Sequence, residues 1–153
     1  MKETLTVGCT KTLRVTIDEA RTIGFMGEGM RVYATPELVR DVEMACRELL
    51  LEHSEDGEDS VGTRVVIDHT GATMKGMWVD ITATVTAIEG PQVSFDVIAK
   101  GILEQVAKGT HKRFSVLVSK LEQKPKSKAA MRCGGQIRAL SGSVSNAIGA
   151  RSV

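Results

Sequence analysis

Aromatic side chains are scarce in this chain of 153 residues, which has three Phe, one Trp and one Tyr, so its core must be aliphatic. The three cysteines are widely spaced and no Cys/His cluster accompanies them, which excludes a disulfide framework and a zinc site. No apolar run has the length of a membrane-spanning helix, and no apolar secretory segment follows the first residues. These absences predict a cytoplasmic protein with no membrane partner.

The charges divide the chain into two parts. Residues 1–120 have the length and mixed composition of one globular domain. Residues 121–153 contain six basic residues and one acidic residue among glycines and serines, and they predict a flexible basic tail. Such a tail is also compatible with a different function, in which this chain is an interaction protein that docks on an anionic surface through its tail. Nucleic acid is not expected as a partner, because the body is acidic and basic residues are not interleaved with aromatics.

Hydrophobic periodicity predicts an α+β domain. Apolar residues recur at helical spacing over residues 35–53, with Thr35 as the N-cap and Pro36 as the first helical residue. Alternating patterns predict strands at 12–18, 61–69, 77–88 and 92–99, with Val61, Val65 and His69 on one face. A last strand at 104–118 is expected to bulge near Gly109. The expected architecture is one helix against a curled sheet in which one strand precedes a meander of four.

Three side chains in this domain are candidates for chemistry. Glu43 lies at the border of the apolar stripe of the helix, where a partly desolvated carboxylate can act as a base or a nucleophile, although a rim ion pair also explains it. His69 ends a strand on its apolar face, which suits a general acid or base and equally a buried core histidine. Thr35 is explained by capping alone, yet free N–H groups at a helix start can also stabilise an oxyanion.

A glycine-interrupted segment, residues 24–30, precedes the helix. Its sequence, Gly-Phe-Met-Gly-Glu-Gly-Met, places large apolar side chains among three glycines. The segment is either a lid or an ordinary loop packed on the core, and the loop is the simpler interpretation.

Several segments of the chain, taken together, resemble one family over about residues 10–119. They are Val-Tyr-Ala-Thr-Pro-Glu-Leu-Val at 32–39 with Glu43 behind it, Val-Gly-Thr-Arg-Val at 61–65 continuing to His69, and Gly-Thr-His-Lys-Arg-Phe at 109–114. Their order and intervals resemble those of the fluoroacetyl-CoA thioesterase-like hotdog proteins. The resemblance implies the hotdog fold, a long central helix wrapped by a curled antiparallel sheet.

The same resemblance implies hydrolysis of an acyl-CoA thioester by Thr35, Glu43 and His69. Glu43 would be the nucleophile or the base, His69 a general acid or base, and Thr35 a hydrogen-bonding partner or itself the nucleophile. Gly62 matches a glycine whose backbone lies against the thioester, and Arg113 matches a substrate-pocket arginine.

The resemblance does not determine the acyl group. It is either short, such as a fluoroacetyl-like group, or of medium length. No metal or other cofactor is expected, since coenzyme A is part of the substrate, and the family implies a homodimer. The alternative function is a non-catalytic module that binds or senses acyl-CoA.

Overall fold

The computed structural model describes residues 1–121 of the chain. A long helix, α1, spans Thr35–Glu52 and packs against a five-stranded antiparallel sheet. Two further strands of two residues each form a small hairpin before the helix. In chain order the strands are β1 (Thr10–Thr16), β2 (Thr22–Ile23), β3 (Val32–Tyr33), β4 (Glu58–His69), β5 (Trp78–Glu89), β6 (Gln92–Lys100) and β7 (Gln105–Leu117).

The sheet has the order β1-β5-β6-β7-β4, so the predicted meander of four strands is wrong for β4. Only β5, β6 and β7 follow one another as neighbours. Strand β4 crosses to the far side of the sheet and pairs with β7 from Glu58↔Leu117 to His69↔Ala107. This arrangement makes β1 and β4 the two edges of the sheet, on either side of the helix.

The core lies between α1 and the inner face of the sheet. Side chains of the helix and of the strands are both almost fully buried there, and burial of each large one stabilises the fold by roughly 1.5–3 kcal/mol. The α+β prediction is confirmed. The helical part of this core consists of Leu38, Val42, Ala45, Cys46, Leu49 and Leu50, and the strands contribute Val79, Ile81, Val85, Val93, Phe95 and Val97.

The start of α1 differs by one residue from the prediction. Ala34 occupies the N-cap position with an extended backbone, and Thr35 is the first helical residue, followed by Pro36. Alanine has no side-chain acceptor, so the cap makes no side-chain hydrogen bond. The prediction of Thr35 as the N-cap is therefore wrong, and the reason is that its hydroxyl contacts His69 instead.

The predicted bulge near Gly109 is also wrong. The β4–β7 ladder keeps its register at Gly109, where a Cβ would overlap the carbonyl oxygen of Val66. The irregularity lies between Gly62 and Arg64, so two residues of β4 oppose one step of β7. The bulge reverses the alternation of side chains along β4. Val61 therefore does not share a face with Val65 and His69, and the prediction of one common face is wrong.

Residues 1–118 form one compact unit. The predicted basic tail, residues 121–153, lies almost wholly outside the described residues. Within residues 1–121, no helix has both the length and the apolar character needed to cross a membrane.

Candidate active site

The carboxylate of Glu43 lies against the backbone of Gly62. A Cβ on Gly62 would stand 2.8 Å from Oε1 of Glu43 and 3.2 Å from its Cδ, so only glycine leaves room for this contact. The bulge of β4 begins at Gly62, and α1 presents Glu43 toward it. The Glu43 side chain remains 41% exposed, so solvent or a ligand can reach the carboxylate.

A buried arginine stands behind this carboxylate. The guanidinium of Arg113 lies 3.9 Å from Oε2 of Glu43 and also donates to the main-chain carbonyl of Glu43 at 3.2 Å. It also donates to Ser60, with Nε donating to the hydroxyl at 2.8 Å and Nη2 to the carbonyl at 2.7 Å. Burial lowers the pKa of Arg113, and the nearby Glu43 carboxylate opposes that shift. Arg113 thus places positive charge beside Glu43 from within the core.

His111 is the second buried partner of Arg113. Its Nδ1 donates to the carbonyl of Arg64 at 2.8 Å, which leaves Nε2 to accept from Arg113 at 3.3 Å in the neutral ring. Burial lowers the pKa of His111, so the neutral ring is favoured. Its Cε1 would lie 3.2 Å from a Cβ on Gly62, which places the imidazole directly beneath the Glu43–Gly62 contact.

His69 and Thr35 form a separate pair. The Thr35 hydroxyl lies 3.0 Å from Nδ1 of His69, and the imidazole packs edge-on against the Tyr33 ring with the centroids 5.9 Å apart. Desolvation lowers the pKa of His69, while the backbone of Gly71 favours the protonated ring. The pair therefore joins the first turn of α1 to the last residue of β4.

Within one chain these contacts form two groups, one at Glu43 and one at His69. Thr35 and Glu43 are eight residues apart on α1, a rise of about 12 Å. No hydrogen bond in residues 1–121 connects Glu43 with His69. The structure thus brings Thr35 to His69, and it brings Glu43 to Gly62 and Arg113. A set of three or more His, Cys, Asp or Glu side chains suited to a metal does not occur in the same part of the chain.

The glycine-interrupted segment before α1 presents apolar side chains to solvent. Phe25 is 81% exposed, and Met26 and Met30 are about half exposed. The interpretation of an ordinary loop packed on the core is therefore wrong for these three side chains.

Comparisons with known proteins agree with this fold. Residues 17–119 match the family described as fluoroacetyl-CoA-specific thioesterase. A fluoroacetyl-CoA thioesterase from Streptantibioticus cattleyicolor is 34% identical over 97 residues, which cover 63% of this chain and 70% of that protein. The chain belongs to the fluoroacetyl-CoA-specific thioesterase family. It is a thioester hydrolase.

Solved structures also confirm the predicted hotdog fold. A structure of a fluoroacetyl-CoA thioesterase is 28% identical with a TM-score of 0.76, and the match covers 82% of this chain and 98% of that one. A hot-dog-like protein from Thermanaerovibrio acidaminovorans shares the fold with a TM-score of 0.73 at 22% identity, over 80% and 91% of the two chains.

Sequence reasoning missed the buried residues that pack behind the candidate site. His111 has no evident partner in the sequence, and Ser60 precedes the recognisable motif, yet both bind Arg113. In the sequence, only the alternation of residues along each strand indicates that these side chains face the core. Arg113 shares the inner face with His111 two positions before it on β7, and Ser60 lies two positions before Gly62 on β4.

Proposed function

We propose that the protein hydrolyses an acyl-CoA, with Glu43, His69 and Thr35 as its catalytic residues. The observation that supports this most directly is the accessible Glu43 carboxylate, held against the Gly62 backbone with the Arg113 guanidinium 3.9 Å behind it. A carboxylate in that position can attack a thioester carbonyl or take a proton from water, and either course requires its ionised form.

The reaction consumes one water and gives a free acid and the coenzyme A thiol. If Glu43 attacks, its oxygen bonds to the acyl carbon, the C–S bond breaks, and water then cleaves the mixed anhydride. If Glu43 acts as a base, water adds directly to the carbonyl. In both courses a proton passes from the His69 imidazole to the leaving sulfur and is replaced by one from the attacking water, and Thr35 orients the imidazole through Nδ1.

The two groups of catalytic residues meet in a homodimer that pairs its β4 edges. One edge of β4 pairs with β7, and no strand within residues 1–121 pairs with the other. At mid-strand, Val65 and Val66 are 36% and 46% exposed. An open edge with apolar side chains favours pairing with a second chain. The family resemblance gives the same expectation.

The spacing along β4 determines what such a dimer brings together. If two antiparallel β4 strands meet with their twofold axis at Val66, the bulge at Gly62 and Thr63 of one subunit lies opposite His69 of the partner subunit. Glu43, which contacts Gly62, then shares a site with the imidazole of the other chain. Each dimer contains two such sites.

Release of free thiol from a panel of acyl-CoA substrates tests the activity. The panel includes fluoroacetyl-CoA, since the relatives carry that name, together with acetyl-CoA and medium-chain acyl-CoAs. Glu43→Gln and His69→Ala should each lower kcat/KM by at least ~10²-fold, the scale for losing a positioned proton-transfer group. Turnover at the level of the unmodified protein in both variants would exclude these residues. Saturable acyl-CoA binding without thiol release would identify a binding module instead.

Mixed dimers test the shared site. Each single variant is expected to be inactive alone, but a heterodimer of Glu43→Gln with His69→Ala keeps one intact site. Random reassociation of equal amounts should restore about a quarter of the unmodified activity, because half of the dimers are mixed and each has one of two sites. Mixtures that stay inactive, although mass measurements show heterodimers, would place Glu43 and His69 in unconnected sites.

A further inference from the structure

The only tyrosine of the chain lies against the His69 ring. Tyr33 is 3% exposed, and its ring meets the imidazole at an interplanar angle of 74°. Its hydroxyl points the other way and donates to Oδ2 of Asp41 at 2.8 Å. Burial and this hydrogen bond raise the pKa of Tyr33, so the phenol stays protonated and remains a donor.

Asp41 is a buried carboxylate on α1 with a cationic partner. It is 4% exposed, and Arg21 donates to both of its oxygens, at 2.9 Å and 3.3 Å. Arg21 also binds Asp18 through its side chain, and its carbonyl accepts from the backbone N–H of Ala34 at 2.9 Å. A buried charge is tolerated only where it is paired, and Asp41 is paired here.

We propose that Arg21, Asp41 and Tyr33 act together as positioning residues for His69, an inference that rests on the proposed function. Two side chains restrain the imidazole, the Thr35 hydroxyl on Nδ1 and the Tyr33 ring on its side. The first restraint alone allows the ring to rotate about its hydrogen bond. The second fixes the plane, because Tyr33 is itself anchored through Asp41 and Arg21 to two segments of the chain.

The geometry explains why such an anchor matters. His69 is the last residue of β4, so the strand holds its backbone from one side only. Its Nε2 has to face the reacting atoms, and a displacement of about 1 Å at a catalytic group can reduce the rate by ~10²-fold. The positioning residues do not touch the substrate, so their loss should lower kcat more than it raises KM.

A graded series of substitutions tests this. Tyr33→Phe keeps the ring and removes its hydrogen bond to Asp41. Asp41→Asn removes the negative charge that binds both Tyr33 and Arg21. Tyr33→Leu removes the ring itself. We expect kcat to fall by about 3-fold in the first two and by at least ~10-fold in the third, with KM within about 2-fold. The matched control is Asp80→Asn, which breaks a bidentate pair with Arg14.

Nuclear magnetic resonance of the His69 ring supplies a readout that does not depend on turnover. In the unmodified protein the ring nitrogens should report one dominant tautomer, because both restraints are present. Tyr33→Leu and Asp41→Asn should give a mixture of tautomers, whereas Asp80→Asn should not. Unchanged ring signals in folded Asp41→Asn and Tyr33→Phe, with kcat equal to that of Asp80→Asn, would overturn the proposal. An inactive parent protein with these tautomer changes would refute the proposed function and leave the positioning role supported.

Discussion

The Thr35 hydroxyl lies 3.0 Å from Nδ1 of His69, across 34 residues of sequence. The bond ties the first turn of α1 to the end of β4, and it uses the hydroxyl that the sequence pattern assigned to a helix cap. Because Ala34 occupies the cap position and has no acceptor, the helix start forgoes a side-chain hydrogen bond. The Thr35 hydroxyl therefore restrains the His69 ring and does not cap the helix.

Removal of the Thr35 hydroxyl should therefore impair catalysis more than stability. Thr35→Val keeps the shape of the side chain and loses its bond to His69, and we expect kcat/KM to fall by about 10- to 100-fold. Thr35→Ser retains a hydroxyl and should keep most of the activity. Initial rates of thiol release measure both. A valine variant as active as the parent would show that the hydrogen bond to His69 does not matter.

Local sequence patterns predicted the elements of the fold well and their long-range arrangement less well. The helix was expected at 35–53 and lies at Thr35–Glu52, because its apolar stripe is long and regular. The pairing of β4 with β7 was not foreseen, since alternation along β4 shows which residues share a face but not which strand lies beside them. The bulge after Gly62 was missed for the same reason.

The candidate site divides in a similar way. The sequence pattern marked Thr35, Glu43 and His69 one by one, and only the resemblance combined them into one site, since no spacing rule does so. The network around Arg113 involves Ser60 and His111, which are far apart in sequence and become neighbours only when β4 and β7 pair. Buried polar residues of this kind look like ordinary strand residues until their partners are known.

The contact between Glu43 and Gly62 predicts a strong effect of a single methyl group. Gly62→Ala would place a Cβ 2.8 Å from Oε1 of Glu43, so the carboxylate must move. We expect kcat/KM to fall by about 10²-fold, because the reacting group leaves its position. The neighbouring Thr63→Ala is the control, since it alters the same bulge without approaching Glu43. A Gly62→Ala variant with the rate of the control would show that Glu43 needs no fixed position.

Burial of His111 predicts a dependence of stability on pH. Its pKa is lowered in the folded protein, whereas the unfolded chain takes up the proton below about pH 6.5. The unfolded state therefore binds more protons as the pH falls, and stability is lost below that value and constant above it. Urea unfolding between pH 5 and 8 measures this, in a range above most carboxylate titrations. His111→Gln should reduce the slope and leave the part that His69 contributes, because the pKa of His69 is also lowered; an unchanged slope would assign it to other groups.

Arg113 should be the most costly side chain of the site to remove. Its guanidinium satisfies the hydroxyl and carbonyl of Ser60, the carbonyl of Glu43 and Nε2 of His111, all within the core. Arg113→Met leaves these acceptors without a donor, and we expect a loss of about 3–5 kcal/mol in the free energy of unfolding.

A lysine at the same position provides the sharper comparison. Arg113→Lys keeps the charge beside Glu43 but has a single nitrogen, which cannot reach Ser60 and His111 together as the planar fork does. It should therefore be destabilised almost as much as Arg113→Met, while Arg14→Met on the outer face of the sheet should change stability little. Urea midpoints of the three variants decide this. A lysine variant as stable as the parent would show that Arg113 stabilises the fold through its positive charge beside Glu43 and not through the hydrogen bonds of its planar guanidinium.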